Sequence, residues 1–458
     1  MWGALGALCG CPGGGAGTTA KDGHSLSEVL RADSLDGDEG GDTLDALSTK
    51  DGVQGPPLPT LEIVREAGLG PQHVGVLVNL ADPQSVAVAE AYVARRNIPS
   101  ENVIELSFES GVPTLTPEAF SELKEASDAA ASDQVQVWAL TWTFPYRVGC
   151  MGVTSAFALG YDDIWCHSGP TCDITAASGF YDATTRRPWT DLGIRPAMML
   201  AGQSTEAAIA LIDRGVAADG TRPGGTGYLI KTSDSDRNVR YPQMAEAALE
   251  WSFDDTVGLQ YLQPEGDIIQ NVSDTLFYFT GLIQVGGLET LEFFPGAIAD
   301  HVTSFGGVLD GTSQMTVLAW LSAGATGSYG TVREPCNLLQ KFPDVLRVLR
   351  HYVHGETLIE AYWKSVAWPG EGLFVGEPLA SPWGGDVVEL DEQSLSVQTT
   401  ALWPGMPWVL EASDVPDDSN GWTEVATGQA PFHHGTTTIA YAPLRHAAYR
   451  LRYGSRRD

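Results

Sequence analysis

A continuous apolar run at residues 74–80, VGVLVNL, constrains the fold of this chain more than any other stretch. A strand that is apolar on both sides is typical of a parallel sheet covered by helices on both faces. Asp82-Pro83 follows the run and opens a predicted helix that ends before Ile98-Pro99, and the next predicted strand lies at 102–106. Strand, helix and strand in this order form a βαβ unit, which predicts a mostly parallel sheet with flanking helices.

The same alternation continues to about residue 384, so we expect an α/β domain over residues 61–384. Further predicted strands lie at 135–141, 228–231, 258–261 and 275–279, and further predicted helices lie at 117–129, 206–214, 244–251 and 345–354. From about residue 387 the pattern changes to alternating strands separated by turn residues, which is typical of all-β proteins. We therefore expect a small C-terminal β-sandwich at residues 388–458.

The first sixty residues indicate export. Residues 1–11, MWGALGALCGC, read like the end of a secretory hydrophobic region, and Cys11 stands where a bacterial lipobox places its lipidated cysteine. The segment is short and lacks basic residues, which a start codon assigned too late would explain; the alternative is an arbitrary Gly/Ala-rich N-terminus. Residues 12–60 are acidic and Gly-rich without periodicity, which predicts a disordered tether. We therefore expect an exported protein of the cell envelope, either lipid-anchored or secreted.

The charge balance limits the partners. The net charge is -32, with 26 Lys and Arg residues against 58 Asp and Glu. Binding to phosphate groups depends on clustered Lys and Arg, so this composition argues against nucleic acid or an anionic membrane surface as the main partner. The sequence has no apolar run long enough to predict a transmembrane helix, so we expect membrane contact only through an N-terminal lipid anchor. Nothing in the sequence indicates a particular cofactor.

The cysteine count permits disulfides. With Cys11 lipidated, and Cys9 removed with the signal, the remaining cysteines are Cys150, Cys166, Cys172 and Cys336. An even number in an exported protein is compatible with disulfides. Cys166 and Cys172 flank a turn-prone loop, so we predict that they pair, which would contribute roughly 2 kcal/mol of stability. A metal site at these cysteines is not expected, because no second pair at zinc-finger spacing exists.

Residues 293–337 carry the main candidate site. A buried-type strand at 296–299 leads into a predicted polar loop at 300–304, and a helix and a small-residue strand at 325–332 follow. In an α/β protein this unit places ligands at the carboxyl ends of the strands. The polar loop is therefore expected to lie at an edge of the sheet that is open to a ligand.

This loop offers side chains suited to acid–base and nucleophilic chemistry. Asp300 and His301 could act as acid and base or as metal ligands, and Ser304 or Thr303 could act as a nucleophile. Adjacent residues on a loop can both face one cleft, whereas in a strand they would point to opposite faces. The alternative is that His301 and Ser304 cap the helix and satisfy buried backbone groups.

Charged residues at two further strand ends complete the predicted site. Arg333-Glu334 follows the strand at 325–332, and the polar stretch 232–240 follows the strand at 228–231. We predict binding roles for Thr303, Arg333, Glu334, Lys231, Asp234 and Arg237. The alternative for the stretch 232–240 is a helix cap and a solvated loop.

Much of residues 73–384 resembles a family of bacterial conserved hypothetical proteins that includes predicted lipoproteins. The stretches that carry the resemblance are VLVNLADPQSVAVAEAYVARRNIPSENV, RPAMMLAG, LIDRGVAADGT, GTGYLIKTSDSDRNVR, FFPGAIADHVTSFGG, AGATGSYGTVREPCN and TLIEAYWKSVAWPGEGLFVGEPLASPW. This resemblance implies an envelope protein and does not imply a particular activity.

More distantly, the same region resembles the gingipain type of cysteine peptidase, which has a caspase-like α/β fold. In that type, a strand ends in a loop that carries the histidine base, the next strand ends in the cysteine nucleophile, and an Ala/Gly-rich strand and a Gly-Asp-Pro turn follow. The corresponding stretches here are 277–282, 297–304, 324–330 and 376–378. The resemblance implies a caspase-like sheet.

The sequence departs from the gingipain pattern at the positions of the catalytic histidine and cysteine. Thr280-Gly281-Leu282 stands at the position of the histidine loop, and no cysteine lies between Cys172 and Cys336. Because that mechanism requires a thiolate and a histidine base, ordinary cysteine peptidase activity is not expected. Two functions stay open. One is a degenerate peptidase-like domain that binds an envelope or extracellular ligand, and the other is an extracytoplasmic hydrolase with non-cysteine chemistry in the loop 300–304.

Overall fold

The computed structural model describes residues 58–65, 68–166, 172–253, 257–311 and 313–454. Cys11 and nearly all of the expected tether lie outside the described residues. The helices are α1 (Pro83–Arg96), α2 (Pro117–Ala130), α3 (Val153–Leu159), α4 (Pro188–Leu192), α5 (Thr205–Ala218), α6 (Tyr241–Glu250), α7 (Val317–Ala323), α8 (Val345–Val353) and α9 (Leu358–Trp363). The strands are β1 (Thr60–Val64), β2 (Val74–Asn79), β3 (Val103–Leu106), β4 (Thr114–Leu115), β5 (Val137–Leu140), β6 (Arg147–Val148), β7 (Met151–Gly152), β8 (Ala197–Met199), β9 (Thr226–Ile230), β10 (Gly258–Leu262), β11 (Val272–Thr280), β12 (Leu291–His301), β13 (Gly327–Thr331), β14 (Gly372–Gly376), β15 (Asp386–Leu390), β16 (Leu395–Thr399), β17 (Pro407–Ser413), β18 (Thr423–Gln429), β19 (Thr437–Tyr441) and β20 (Ala448–Tyr453).

The α/β region is built on a ten-stranded mixed sheet in the order β10-β9-β11-β12-β13-β14-β8-β5-β2-β3. The strands from β10 to β13 are parallel to one another, and those from β14 to β3 are likewise parallel. The two halves meet in one antiparallel pair, β13 with β14. The carboxyl ends of β9, β11, β12 and β13 therefore share one edge of the sheet. The expected α/β architecture is confirmed at this level.

The apolar run that dominates the sequence behaves as predicted. Strand β2 is buried along its whole length, with Val76 and Val78 in one hydrophobic cluster and Leu77 in another on the opposite face. The helix α1 begins where the Asp82 side chain accepts a hydrogen bond from the Gln84 N–H. Covering on both faces explains why the strand carries no polar alternation.

Two smaller sheets form the C-terminal β module. One has the order β1-β20-β17-β18 and the other is antiparallel with the order β15-β16-β19. Residues from both sheets, among them Val397 and Leu451, share one hydrophobic cluster, as in a sandwich. The expected domain boundary at residue 61 differs from the structure, because β1 pairs in parallel with β20. Leu61 and Ile63 alternate along β1 and pack against the sandwich cluster.

The predicted loop at 300–304 is only partly a loop. Strand β12 extends to His301, because Asp300 and His301 pair in register with Phe279 and Thr280 of β11. The two side chains therefore point to opposite faces of the sheet. The expectation that Asp300 and His301 lie together on a loop is wrong.

The predicted disulfide between Cys166 and Cys172 is also wrong. Cys150 pairs with Cys166, with Cα atoms 5.8 Å apart, and Cys172 pairs with Cys336, with Cα atoms 5.4 Å apart. Both separations lie in the range that disulfides require. Cys172 lies beside the segment that follows β13, so the nearest cysteine in sequence is not the nearest in space.

Candidate binding site at the carboxyl edge of the sheet

A small cleft of about 190 Å³ opens at the carboxyl ends of β12 and β13. Its lining residues come from the segments that follow β9, β12 and β13; they are Asp236, Arg237, Val302, Thr303, Ser304, Glu334, Pro335, Asn337 and Phe342. Four of the residues predicted from sequence, Arg237, Thr303, Ser304 and Glu334, therefore meet here. We call this feature the edge cleft.

The turn after β9 holds Arg237 in place. The Asp234 carboxylate accepts hydrogen bonds from the backbone N–H groups of Asp236 and Arg237, each at 3.1 Å. Its second oxygen lies 3.0 Å from Nη1 of Arg237, and Nε of Arg237 donates to Oγ1 of Thr303 at 3.3 Å. Asp234 is thus a positioning residue for the guanidinium and not a lining residue.

Hydrogen bonds to Gln314 and from strand β13 fix the floor of the edge cleft. The Thr303 hydroxyl donates to Oε1 of Gln314 at 2.6 Å, and the Phe305 N–H donates to the same oxygen at 2.9 Å. The Thr331 hydroxyl of β13 donates to the Ser304 carbonyl at 2.9 Å. These bonds hold the chain between Thr303 and Phe305 against β13, with the half-buried Ser304 side chain lining the cleft.

The opposite wall is the segment that follows β13. The Glu334 carboxylate accepts a hydrogen bond of 3.0 Å from the Cys336 N–H, and the disulfide with Cys172 ties the same residue to the insertion before α4. Cys336 and Asn337 have φ angles of 57° and 54°, in the left-handed region that few residues other than glycine adopt. Two consecutive residues of this kind turn the wall back toward the cleft.

Asp300 does not reach the edge cleft. It is 1% exposed and forms an ion pair with Arg240, which also donates to the Thr280 carbonyl at 3.2 Å. Burial raises the pKa of Asp300 above its ordinary value, and the charge and hydrogen bonds of Arg240 oppose this effect. This carboxylate is a partner of the buried arginine.

His301 lies on the other face of β12 and is also enclosed. Nδ1 of His301 accepts a hydrogen bond of 2.9 Å from Nε1 of Trp320, and Nε2 lies 3.2 Å from the Met315 carbonyl, to which it donates. Burial lowers the pKa of His301 to about 3, so the ring is neutral. Both nitrogens are occupied, which matches the alternative in which His301 satisfies a buried backbone group. Ser304 does not cap the helix, because Thr316 is the N-cap residue of α7.

Besides Asp234, two further predicted binding residues lie outside the edge cleft. The Lys231 ammonium stacks 4.9 Å from the ring centre of Tyr241, and Arg333 is half-buried and not among the lining residues. Sequence reasoning did not select Asp236 and Asn337, although Asp236 lies in the polar stretch 232–240. The position of Asn337 depends on the disulfide of Cys336, for which the sequence carries no signal.

Within the described ranges, no group of three or more His, Cys, Asp or Glu side chains is arranged to hold a metal ion. In the same part of the chain, every helix is too short or too polar to cross a membrane.

Comparison with known proteins gives little similarity. No family model matches this chain, and no curated protein matches it. A solved structure named "Structure of Protease" aligns with 87% of this chain and 97% of its own, with a TM-score of 0.40 and 9% sequence identity. A similarity at this level assigns neither a family nor an activity to this chain.

Proposed function

We propose that this chain is an exported binding protein whose α/β domain is a degenerate, caspase-like relative of the gingipain-type peptidases. The observation that carries the proposal is the state of His301. It stands at a strand end where the resemblance implies catalytic chemistry, but it is neutral, 2% exposed and hydrogen-bonded through both ring nitrogens. A histidine in this state cannot take a proton from a nucleophile in the edge cleft.

The arrangement of strands supports the caspase-like part of the proposal. The resemblance implies a base at the end of one strand and a nucleophile at the end of the next, and here β11 and β12 are parallel neighbours with Thr280 in register with His301. Strands β13 and β14, which correspond to the Ala/Gly-rich strand and the final turn, continue the sheet in the same order. Cys336 is bound to Cys172 and offers no thiolate.

The charges of the edge cleft favour a small zwitterionic group, such as an amino acid or the end of a peptide. The Arg237 guanidinium uses Nε and Nη1 within the protein, which leaves Nη2 to face a ligand carboxylate. Asp236 and Glu334 are exposed on the rim and suit an ammonium group. Ser304 and Asn337 add neutral hydrogen-bonding groups, and a volume of about 190 Å³ limits the bound group to about one residue.

Export is supported by the cysteines. The four described cysteines form two disulfides, and such bonds persist in oxidising compartments. Lipidation of Cys11 is the corresponding proposal for the anchor. Metabolic labelling with a palmitate analogue should mark the wild-type protein and not the Cys11→Ser variant, and equal labelling of both would contradict the anchor.

Calorimetric titration of the full chain with free amino acids and short peptides tests the binding proposal. Arg237→Gln should weaken binding by about tenfold or more, because it removes a charged hydrogen-bond donor. Lys231→Gln is the matched control, since it removes a cation next to the same strand end but outside the cleft, and binding should not change. Equal affinity of wild type and Arg237→Gln would contradict the assignment of the edge cleft.

The second function, a hydrolase with non-cysteine chemistry at residues 300–304, is tested by the same protein. A screen against hydrolase substrates should give no turnover. Activity that resists thiol alkylation and is lost in Ser304→Ala, with folding intact, would favour the hydrolase and overturn the binding proposal.

A further inference from the structure

His434 joins the β module to the α/β domain. It lies in the connection between β18 and β19, is 7% exposed, and reaches the end of α6. Its Nδ1 lies 2.7 Å from Nε2 of His354, and its Nε2 lies 2.7 Å from Oε1 of Glu250. Its ring stacks on Trp251 with centroids 5.0 Å apart. One side chain of the module thus contacts three side chains of the domain.

The backbone partner of His354 shows which of its two ring nitrogens carries the hydrogen. Nδ1 of His354 faces the Thr400 carbonyl, which can only accept, so Nδ1 carries the hydrogen. Burial, and the neighbouring His434, lower the pKa of His354 to about 3, so its ring is neutral. Nε2 of His354 is therefore an acceptor, and His434 must donate to it through Nδ1.

The other nitrogen of His434 must also carry a hydrogen. Glu250 accepts hydrogen bonds from the Arg350 guanidinium through both carboxylate oxygens. Burial raises the pKa of Glu250, but the hydrogen bonds from His434 and Arg350 outweigh burial and bring the pKa to about 2. A carboxylate in this state only accepts. Both ring nitrogens of His434 therefore donate, which makes the ring an imidazolium whose charge lies over the face of Trp251.

We propose that protonated His434 is a pH-sensitive latch that docks the C-terminal β module on the α/β domain. A neutral imidazole has one N–H and cannot donate to both Glu250 and His354, so loss of the proton breaks one of the two contacts. The inference is independent of the function proposed for the edge cleft.

Other charged and titratable groups around the latch come from several elements. Arg350 of α8 faces it through Glu250, and on the module's own loop Nδ1 of His433 contacts the His434 carbonyl. Behind His354, the His351 ring lies 3.0 Å from Glu356, which Lys364 also contacts. Nε2 of the buried His351 lies 3.1 Å from Asp182, so this ring also sits between two carboxylates, but both belong to the α/β domain. Within this set, His434 is the group whose two acceptors lie across the junction between the module and the domain.

The latch borders a cavity of about 440 Å³ between the domain and the module. His354, which accepts from His434, lines this cavity together with Glu356 and Trp403, and the Trp403 ring stacks on His354 with centroids 4.6 Å apart. Release of the latch would therefore remove a contact that holds His354 in the wall of this cavity.

Nitrogen-15 NMR of histidine-labelled full chain tests the protonation state directly. At about pH 6, both ring nitrogens of His434 should carry hydrogens, while His354 carries hydrogen only on Nδ1. A neutral His434 at this pH would overturn the proposal, and this measurement needs no variant.

Hydrogen exchange, corrected for intrinsic rates, tests docking in the same protein. Protection of residues 400–406 and 430–436 should fall by about tenfold or more between about pH 6 and the pH at which His434 deprotonates in the NMR titration. His434→Phe, which keeps a stacking ring without N–H groups, should show low protection at all pH values. His446→Gln is the matched control, because His446 is a histidine of the same module that pairs with Asp414 at the surface, away from the α/β domain. Unchanged protection through the deprotonation of His434, or a fall in His434→Phe equal to that of wild type, would contradict the latch.

Discussion

Thr280 and His301 lie opposite each other, in register, at the ends of the neighbouring parallel strands β11 and β12. Both are buried, and His301 is held by Trp320 from one side and by the Met315 carbonyl from the other. The edge cleft begins only one residue later, at Val302 and Thr303. The change from core side chains to residues that line the cleft thus takes one or two residues after the end of β12.

Replacement of His301 should affect stability and not binding. His301→Ala removes the acceptor of the Trp320 N–H and leaves a cavity, so the free energy of unfolding should fall by about 3 kcal/mol in urea denaturation. Ser304→Ala, at the half-buried cleft surface, should change it by less than about 0.5 kcal/mol. A folded His301→Ala variant should bind the ligand with the affinity of the wild type. A loss of affinity in the folded variant would show that the His301 ring affects binding in the edge cleft.

Acid should destabilise the protein through its buried neutral histidines. The pKa values of His301 and His354 are lowered from the ordinary 6.5 to about 3. As the pH falls below 6.5, these two histidines become protonated in the unfolded chain but stay neutral in the folded chain. The free energy of unfolding therefore decreases until the pH reaches about 3. Each histidine adds a slope of about 1.4 kcal/mol per pH unit in this window. Denaturant titrations at several pH values should show a shallower slope in His301→Phe, and an equal slope would contradict the burial effect.

The two disulfides should contribute different amounts to the stability of the protein. Cys150 and Cys166 are 16 residues apart, whereas Cys172 and Cys336 are 164 residues apart. Loop entropy gives roughly 3 kcal/mol for the first bond and roughly 5 kcal/mol for the second. Peptide mapping under non-reducing conditions should recover these two pairs. Recovery of a Cys166–Cys172 peptide would contradict the pairing, and paired serine variants should reproduce the order of the stability losses.

Removal of only one partner of the ion pair between Arg240 and Asp300 should strongly destabilise the protein. Asp300→Ala leaves a guanidinium that is 1% exposed without its carboxylate, so we expect a loss of about 3–5 kcal/mol of folding free energy. The double variant Asp300→Ala with Arg240→Met should recover part of this loss, because no unpaired charge remains. A double variant as unstable as the sum of both single variants would show that packing, and not charge, sets the cost.

The elements that could be predicted from sequence are those specified locally. The run at 74–80 and the cap at Asp82 place β2 and α1, and the alternation after residue 387 places the strands of the module. In these segments, a continuous apolar run or an alternation of polar and apolar residues indicates whether both faces or one face of the element is buried.

The features that could not be predicted depend on contacts between distant parts of the chain. Asp300 and His301 are strand residues only because β11 pairs beside them, and no local signal distinguishes this from a polar loop. The partner of Cys172 is set by its position beside the segment that follows β13, 164 residues away in sequence. His434 and Glu250 meet only after the module has docked, so the candidate site was predicted in part and the latch was not.

The parallel pairing of β1 with β20 makes the α/β domain an insertion within the sandwich instead of its N-terminal neighbour. Residues 60–64 leave the ribosome before the domain, but their backbone partner, β20, is made after it. Until then, Leu61 and Ile63 have no apolar surface to cover, and the N–H and C=O groups of β1 present an unpaired edge. The sandwich can therefore be completed only after the domain inside it has been synthesised, and a chain that stops before β20 leaves β1 without its partner strand.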